Sequence, residues 1–120
     1  DHLPVAANVG FSPQATPERV AHLLAELDLA DLADRRPTDC SGGQAQRVAV
    51  ARALAGAPDV LLLDEPSTAL DAESRRRIYH LLEDGERPAT LLVTHDPGEA
   101  AGLADRVVEL ATGQVVGDAP

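Results

Sequence analysis

The sequence predicts an α/β fold in which helices flank a short parallel sheet. An unbroken apolar run at 60–63 and a second, mostly apolar run at 89–94 alternate with segments that carry helix-capping residues and helical periodicity. Such runs are typical of strands that are buried on both faces of a parallel sheet. Only 2% of the residues are aromatic while 44% are apolar, so the core is built from Leu, Val and Ala, which suits helices packed on a sheet.

The bulk composition narrows the class of protein. A formal charge of -10 argues against a nucleic-acid partner, since phosphate binding depends on clustered Lys and Arg. Cys40 is the single cysteine, which excludes an intrachain disulfide and fits a reducing compartment. No apolar run approaches the roughly 20 residues that cross a bilayer. The absence of methionine leads us to expect a processed, excised or incompletely captured product.

Two helices are predicted in the first half of the chain. T-P-E at 16–18 supplies a capping hydroxyl, a first-turn proline and an acid, and an apolar stripe with helical spacing begins at Val20, which predicts a helix over about 17–28. Charged residues and a proline at 34–39 indicate a connecting loop. Good helix formers, ended by a glycine and a proline, predict a second helix over about 43–55.

The second half alternates helices with strands. Asp71 is a suitable cap for a helix that runs to about Glu83. D-P-G-E at 96–99 has the pattern of a capping box and predicts a short helix directly after the second strand. The segments 106–110 and 114–116, joined by a turn at Thr112 and Gly113, predict a C-terminal β-hairpin.

Two acids follow the first predicted strand. Asp64 and Glu65 lie at its carboxyl end, where open α/β sheets bind their ligands. Because side chains alternate along a strand, the two acids diverge, and we expect Asp64 to hold Mg²⁺ through water and Glu65 to deprotonate an attacking water. The alternative is a solvated acidic turn that caps the next helix.

Three further features have a functional and a structural interpretation. Ser41, Gly42 and Gly43 precede a helix and could bind a phosphate through backbone N–H groups, or Ser41 could be an ordinary helix cap. His95 follows the second strand and could contact a phosphate oxygen at the same sheet edge, or serve a structural role. Asp71 is most simply a helix cap.

The order of these motifs is far more specific than any one of them. S-G-G-Q at 41–44, V-L-L-L-D-E-P at 60–66, T-A-L-D at 68–71 and T-H-D at 94–96 together resemble the ATP-binding subunit of an ABC transporter. The resemblance extends from H-L-P-V at 2–5 to the C-terminal hairpin. The segment from Glu99 to about Val107 is similar to the importer-type branch of this family.

The resemblance implies a role for each motif. Ser41, Gly42, Gly43 and Gln44 correspond to the signature motif, and 60–64 to the Walker B strand that ends in the metal-associated Asp64. Glu65 corresponds to the catalytic base, 68–71 to the dimer-contacting D-loop with Asp71 near the nucleotide, and His95 to the switch histidine.

The implied fold is an incomplete P-loop NTPase-type parallel sheet with an N-terminal helical subdomain and a C-terminal hairpin. We expect 1–120 to be the C-terminal part of one ATP-binding domain, divided into a helical subdomain at 1–56 with the signature motif and a catalytic-core part at 57–120. No G-x-x-x-x-G-K-[ST] loop occurs in the chain, and we expect this Walker A loop and the glutamine loop to lie upstream of Asp1. Cys40 replaces the leucine that usually precedes the signature serine.

The resemblance also implies ligands and partners. These are ATP, Mg²⁺, a second ATP-binding subunit in a head-to-tail dimer, and transmembrane permease subunits that hold the protein at the cytoplasmic face of the cell membrane. The predicted function is ATP hydrolysis coupled to solute transport, in the direction of import, by a complete domain rather than by the isolated chain. The alternative is a non-catalytic module that donates its signature motif to a complete subunit. A DNA-maintenance ATPase of the same superfamily is disfavoured by the acidic charge and by Gln44.

Overall fold

A computed structural model describes residues 3–68, 70–83 and 88–120. Its first half is helical and its second half alternates strands with helices, ending in a hairpin, as predicted. The predicted division between residues 56 and 57 stays a prediction. The elements are α1 (Val5–Val9), α2 (Pro17–Glu26), 3₁₀ turns Ala30–Leu32 and Pro37–Asp39, α3 (Gly42–Ala55), β1 (Val60–Asp64), α4 (Ala72–Glu83), β2 (Ala89–Val93), α5 (Pro97–Leu103), β3 (Val107–Ala111) and β4 (Gln114–Ala119).

The strands form two small sheets. β1 and β2 are parallel, with Asp64 opposite Val93, so their carboxyl ends lie side by side. β3 and β4 are antiparallel, and Thr112 and Gly113 turn the chain between them with φ of 50° and 78°. These two pairings confirm the predicted α/β class and the C-terminal hairpin.

The core lies between the helices and one face of β1. Leu27 and Leu29 are fully buried at the end of α2, and Ile78 of α4 and Leu61 of β1 pack into the same cluster. The guanidinium of Arg19 donates to the carbonyl oxygen of Leu54 at 2.8 and 3.0 Å, which ties α2 to the end of α3. The helical half and β1 therefore share one apolar core.

The prediction that both strands are buried on both faces is wrong. In β1 buried and exposed residues alternate, and Leu62 is 71% exposed whereas Leu61 is 3% exposed. In β2 only Leu92 is partly buried. In the part of the chain that the structure describes, helices cover one face of this two-stranded sheet, so the opposite apolar face meets solvent.

The ends of several elements differ from the prediction by a few residues. α2 ends at Glu26 rather than near 28, because Leu27 leaves the helical conformation and Asp28 has a φ of 56°. The loop at 34–39 contains a 3₁₀ turn, and α1 was not predicted at all, since its five residues are too few to show helical periodicity. Among the described residues, no helix combines the length and the apolar character needed to cross a bilayer.

Candidate functional site

Glu65 and His95 meet where the two parallel strands end. The backbone N–H of Glu65 donates to the carbonyl oxygen of Val93 at 2.7 Å, which extends the strand pairing by one residue. Nδ1 of His95 then lies 2.8 Å from Oε1 of Glu65. Glu65 has a φ of 50°, and left-handed backbone at a non-glycine residue is uncommon and concentrates at functional sites. The structure thus brings two of the predicted site residues into direct contact.

The contact favours the protonated form of the imidazole. The hydrogen bond to Glu65 is the main cause that raises the pKa of His95, and the charge of the same carboxylate adds to it, followed by those of Asp96 and Glu99. His95 is 84% exposed, so solvent screens these interactions. The pair is an acceptor carboxylate beside an imidazole that readily holds a second proton.

Asp64 precedes this pair at the end of β1 and is exposed. Across the described residues, no group of three or more His, Cys, Asp or Glu side chains is arranged to hold a metal ion. Mg²⁺ commonly takes only one or two carboxylates, with water and substrate phosphates completing its shell. A single exposed carboxylate fits that mode of binding, and the metal role of Asp64 stays a prediction.

Ser41 caps α3 through a complete capping box. Its Oγ accepts from the backbone N–H of Gln44 at 3.1 Å, and Oε1 of Gln44 accepts from the backbone N–H of Ser41 at 2.9 Å. Ser41 therefore serves as a helix cap, which is the structural role that the sequence allowed. Both Ser41 and Gly42 are exposed, and a Cβ added at Gly42 would meet no atom within 4 Å. The binding roles of Ser41, Gly42, Gly43 and Gln44 stay predictions.

Gln46 joins this helix to the segment beyond β1. Its Nε2 donates to the carbonyl oxygen of Pro66 at 3.1 Å, next to Glu65. Among the described residues, no hydrogen bond joins 41–44 directly to Glu65 or His95. Sequence analysis did not identify this link to the carbonyl of Pro66, because it depends on tertiary packing.

Asp71 acts as the cap of α4. Its Oδ1 accepts from the backbone N–H of Ser74 at 2.8 Å, and this hydrogen bond is the main cause that lowers the pKa of Asp71. The cap interpretation of Asp71 agrees with this geometry, while its place near a nucleotide stays a prediction. Two residues of the quoted motifs, His2 and Ala69, lie outside the described residues.

The predicted capping box at the start of α5 is only half formed. The Asp96 carboxylate accepts from the backbone N–H groups of Gly98 at 2.9 Å and Glu99 at 3.3 Å, as predicted. The Glu99 side chain does not return to Asp96, because it is buried and accepts from the hydroxyls of Tyr79 and Thr94 instead. Tyr79 was missed because nothing in the local sequence marks its hydroxyl as part of a network.

Comparison with known proteins gives consistent matches. The sequence model described as "ABC transporter" matches residues 2–68. The aliphatic sulfonates import ATP-binding protein SsuB of Mycobacterium sp. is 52% identical over 120 residues, which span 91% of this chain and 49% of that protein. The macrolide export ATP-binding/permease protein MacB of Psychrobacter arcticus is 43% identical over 115 residues, which span 94% of this chain and 17% of that protein.

A solved structure agrees in fold. An ATP-binding cassette, solved as a dimer in a post-hydrolysis state with ADP and Pi, superposes with a TM-score of 0.83 and 33% identity over 98% of this chain. The chain spans 56% of that cassette and about half or less of the two relatives above. The chain therefore resembles a part of each of these longer proteins.

Proposed function

The chain belongs to the ABC transporter family, and from that premise we propose that it forms the hydrolytic and signature-bearing part of an ATP-binding subunit that drives solute import. The observation that carries the proposal is the 2.8 Å contact between Glu65 and His95 at the carboxyl ends of β1 and β2. Ligands of open α/β sheets bind at this edge. A carboxylate and an imidazole held together there suit the handling of a water molecule beside a phosphate.

Each side chain has a distinct part in this proposal. Glu65 orients the attacking water and accepts its proton, and His95 donates a hydrogen bond to the transferred phosphoryl group while its other ring nitrogen holds Glu65. Asp64 holds Mg²⁺, which neutralises charge on the phosphate oxygens when it is bound. His95 is largely exposed, which leaves its second nitrogen accessible to a ligand.

The signature residues act on a second nucleotide site. Ser41, Gly42, Gly43 and Gln44 would contact ATP held by a partner subunit in a head-to-tail dimer, and Asp71 would lie near the same interface. The exposed N-terminal turn of α3 supports this role, since the helix dipole favours an anion there. Permease subunits would hold the assembly at the cytoplasmic face of the cell membrane. The phosphate-cradling Walker A loop would come from outside these 120 residues.

The comparison of relatives supports import as the direction of transport. Identity to the sulfonate importer is 52% over 91% of the chain, against 43% over 94% for the macrolide exporter. The importer-like segment after His95 agrees with this difference. We therefore favour import.

A non-catalytic module is the second candidate. The exposed start of α3 could serve a complete subunit without any turnover at Glu65. The two candidates differ in one respect, because only the first requires the Glu65 carboxylate for hydrolysis when all other parts are present.

The test uses a chimaera in which this chain replaces the matching part of the Mycobacterium sulfonate-import protein. We expect the chimaera to hydrolyse ATP, and Glu65→Gln to abolish most of the turnover while nucleotide binding persists, since the amide cannot accept the proton. Glu109→Gln on the exposed face of β3 is the matched control and should retain full turnover. Full turnover by the Glu65→Gln variant would show that Glu65 is not the catalytic base. Stimulation of an intact subunit by a chain that carries Glu65→Gln would favour the module.

A further inference from the structure

A buried carboxylate is hydrogen-bonded to the residue that precedes His95. Glu99 of α5 is 3% exposed, although an acid is rarely buried without strong partners. Its Oε1 accepts from the hydroxyl of Tyr79 at 2.8 Å, and its Oε2 accepts from the hydroxyl of Thr94. One carboxylate therefore joins α4, α5 and the residue that precedes His95.

The two hydroxyls continue the network toward the site. Oγ1 of Thr94 also accepts from the backbone N–H of Asp96 at 3.1 Å, so the turn that carries His95 closes around this hydroxyl. On the other side, the Ser67 side chain lies near enough to the Tyr79 hydroxyl to lower its pKa. Because Ser67 is two residues beyond Glu65, Tyr79 lies beside the segment that carries Glu65 as well as holding Glu99.

The hydroxyls of Tyr79 and Thr94 keep their protons across the physiological pH range. Burial is the main cause that raises the pKa of Tyr79 to about 12, and the hydrogen bond to Glu99 adds to it. The phenol thus remains a donor to the carboxylate at neutral pH. The Thr94 hydroxyl does not titrate, so it also remains available to donate to Glu99 at neutral pH.

Packing alone does not hold the pair in place. The Glu65 side chain is 34% exposed, whereas that of His95 is 84% exposed, so few neighbours restrict the rotamer of the imidazole. The position of the imidazole depends instead on the backbone of the turn at 94–96. A turn that is fixed on both sides reduces the conformational freedom that would otherwise separate the two groups.

We infer that Glu99, together with Tyr79 and Thr94, is a positioning residue that holds the turn at 94–96 and thereby keeps the His95 imidazole within hydrogen-bond distance of Glu65. The effect of Glu99 on hydrolysis rests on the proposed function, whereas its effect on the contact between His95 and Glu65 does not. Glu99 touches neither side chain of the pair in any hydrogen bond described among these residues, and it acts through Thr94.

The test measures the pKa of His95 by NMR titration of the whole chain, with the resonances assigned by their loss in His95→Gln. Thr94→Val and Tyr79→Phe each remove one hydroxyl and leave every charge in place. This matters because the charges of Glu65, Asp96 and Glu99 all raise the pKa of His95 directly, so a change at Glu99 itself would mix two effects. Thr94→Ser keeps the hydroxyl, and Thr90→Val within β2 removes a hydroxyl that donates to the carbonyl oxygen of Pro88.

We expect the pKa of His95 to fall toward its ordinary value in Thr94→Val and Tyr79→Phe, and to stay at the wild-type value in Thr94→Ser and Thr90→Val. A folded Thr94→Val protein with the wild-type pKa would overturn the inference. Should Thr94→Val fail to fold, Tyr79→Phe decides, since it removes a single oxygen atom. The chimaera assay is separate: an inactive wild-type chimaera would count against the proposed function, while the titration would still decide the role of the network.

Discussion

Oε1 of Glu65 and Nδ1 of His95 lie 2.8 Å apart although 30 positions separate the two residues in the chain. Parallel pairing of β1 and β2 is what brings them together, because Asp64 and Val93 are opposite each other at the last position of the register. Each site residue then follows its strand at the same sheet edge. The contact is a property of the tertiary fold rather than of any local motif.

Removal of the Glu65 charge should lower the pKa of His95. The hydrogen bond from the imidazole to Glu65 is the main cause of its raised pKa, and the Glu65→Gln amide supplies no negative charge to stabilise the imidazolium. We expect NMR titration of Glu65→Gln to show a pKa closer to the ordinary value of about 6.5. Glu109→Gln, which changes an exposed acid of the hairpin, should leave the titration unaltered, and an equal shift in both variants would mean that the contact is absent in solution.

The same pair gives stability a defined pH dependence. A histidine whose pKa is raised by folding contributes stability that is complete below its ordinary value and is lost as the pH rises through the folded pKa. The free energy of unfolding of the wild type should therefore exceed that of Glu65→Gln most clearly below the ordinary histidine pKa of about 6.5, and the difference should fade as the pH rises through the raised pKa. Urea unfolding at a series of pH values measures this, and a difference that grew with pH would contradict the assignment.

Much of the fold could be predicted because its signals are local. A capping hydroxyl and a proline begin α2 at Thr16 and Pro17, and Thr112 and Gly113 mark the hairpin turn. The location of Glu65 and His95 at one edge followed from the order of strands in α/β sheets. These features depend on neighbours in sequence or on a topological rule.

The features that were missed depend on contacts across the fold. An unbroken apolar run is the same whether one face of a strand is covered or both, so the exposure of Leu62 could not be read from 60–63. Glu99 has the spacing of a capping-box acid, yet its carboxylate accepts from the hydroxyls of Tyr79 and Thr94 rather than from the N-terminus of α5. Sequence spacing therefore singled out Glu99 but could not show which groups its carboxylate would bind.

The capping and binding roles of Ser41 can be separated by substitution. Ser41→Ala removes the acceptor for the Gln44 N–H and should lower the free energy of unfolding by about 1 kcal/mol, as is usual for a lost helix cap. Ser41→Asp restores an acceptor and places a negative charge at the positive end of α3, so its stability should match the wild type. In the chimaera, however, Ser41→Asp should abolish most of the ATP hydrolysis, since the carboxylate repels a phosphate.

Thr16→Ala is a matched control for these variants, because Thr16 caps α2 by accepting from the Arg19 N–H at 3.2 Å. It should cost a similar amount of stability, about 1 kcal/mol, with no specific loss of hydrolysis. Full hydrolysis by Ser41→Asp would show that Ser41 is only a cap.

The two faces of β1 should respond differently to substitution. Leu61 is 3% exposed and packs in the core, so Leu61→Ala should lower the free energy of unfolding by about 2–5 kcal/mol in urea titrations. Leu62 is 71% exposed, and Leu62→Ser should change stability by no more than about 0.5 kcal/mol. Leu62 lies opposite Leu91, which is also exposed, and a paired apolar face of this kind favours self-association. Leu62→Ser should therefore reduce association in sedimentation velocity runs, whereas a large loss of stability would mean that the outer face of β1 is covered by packed residues.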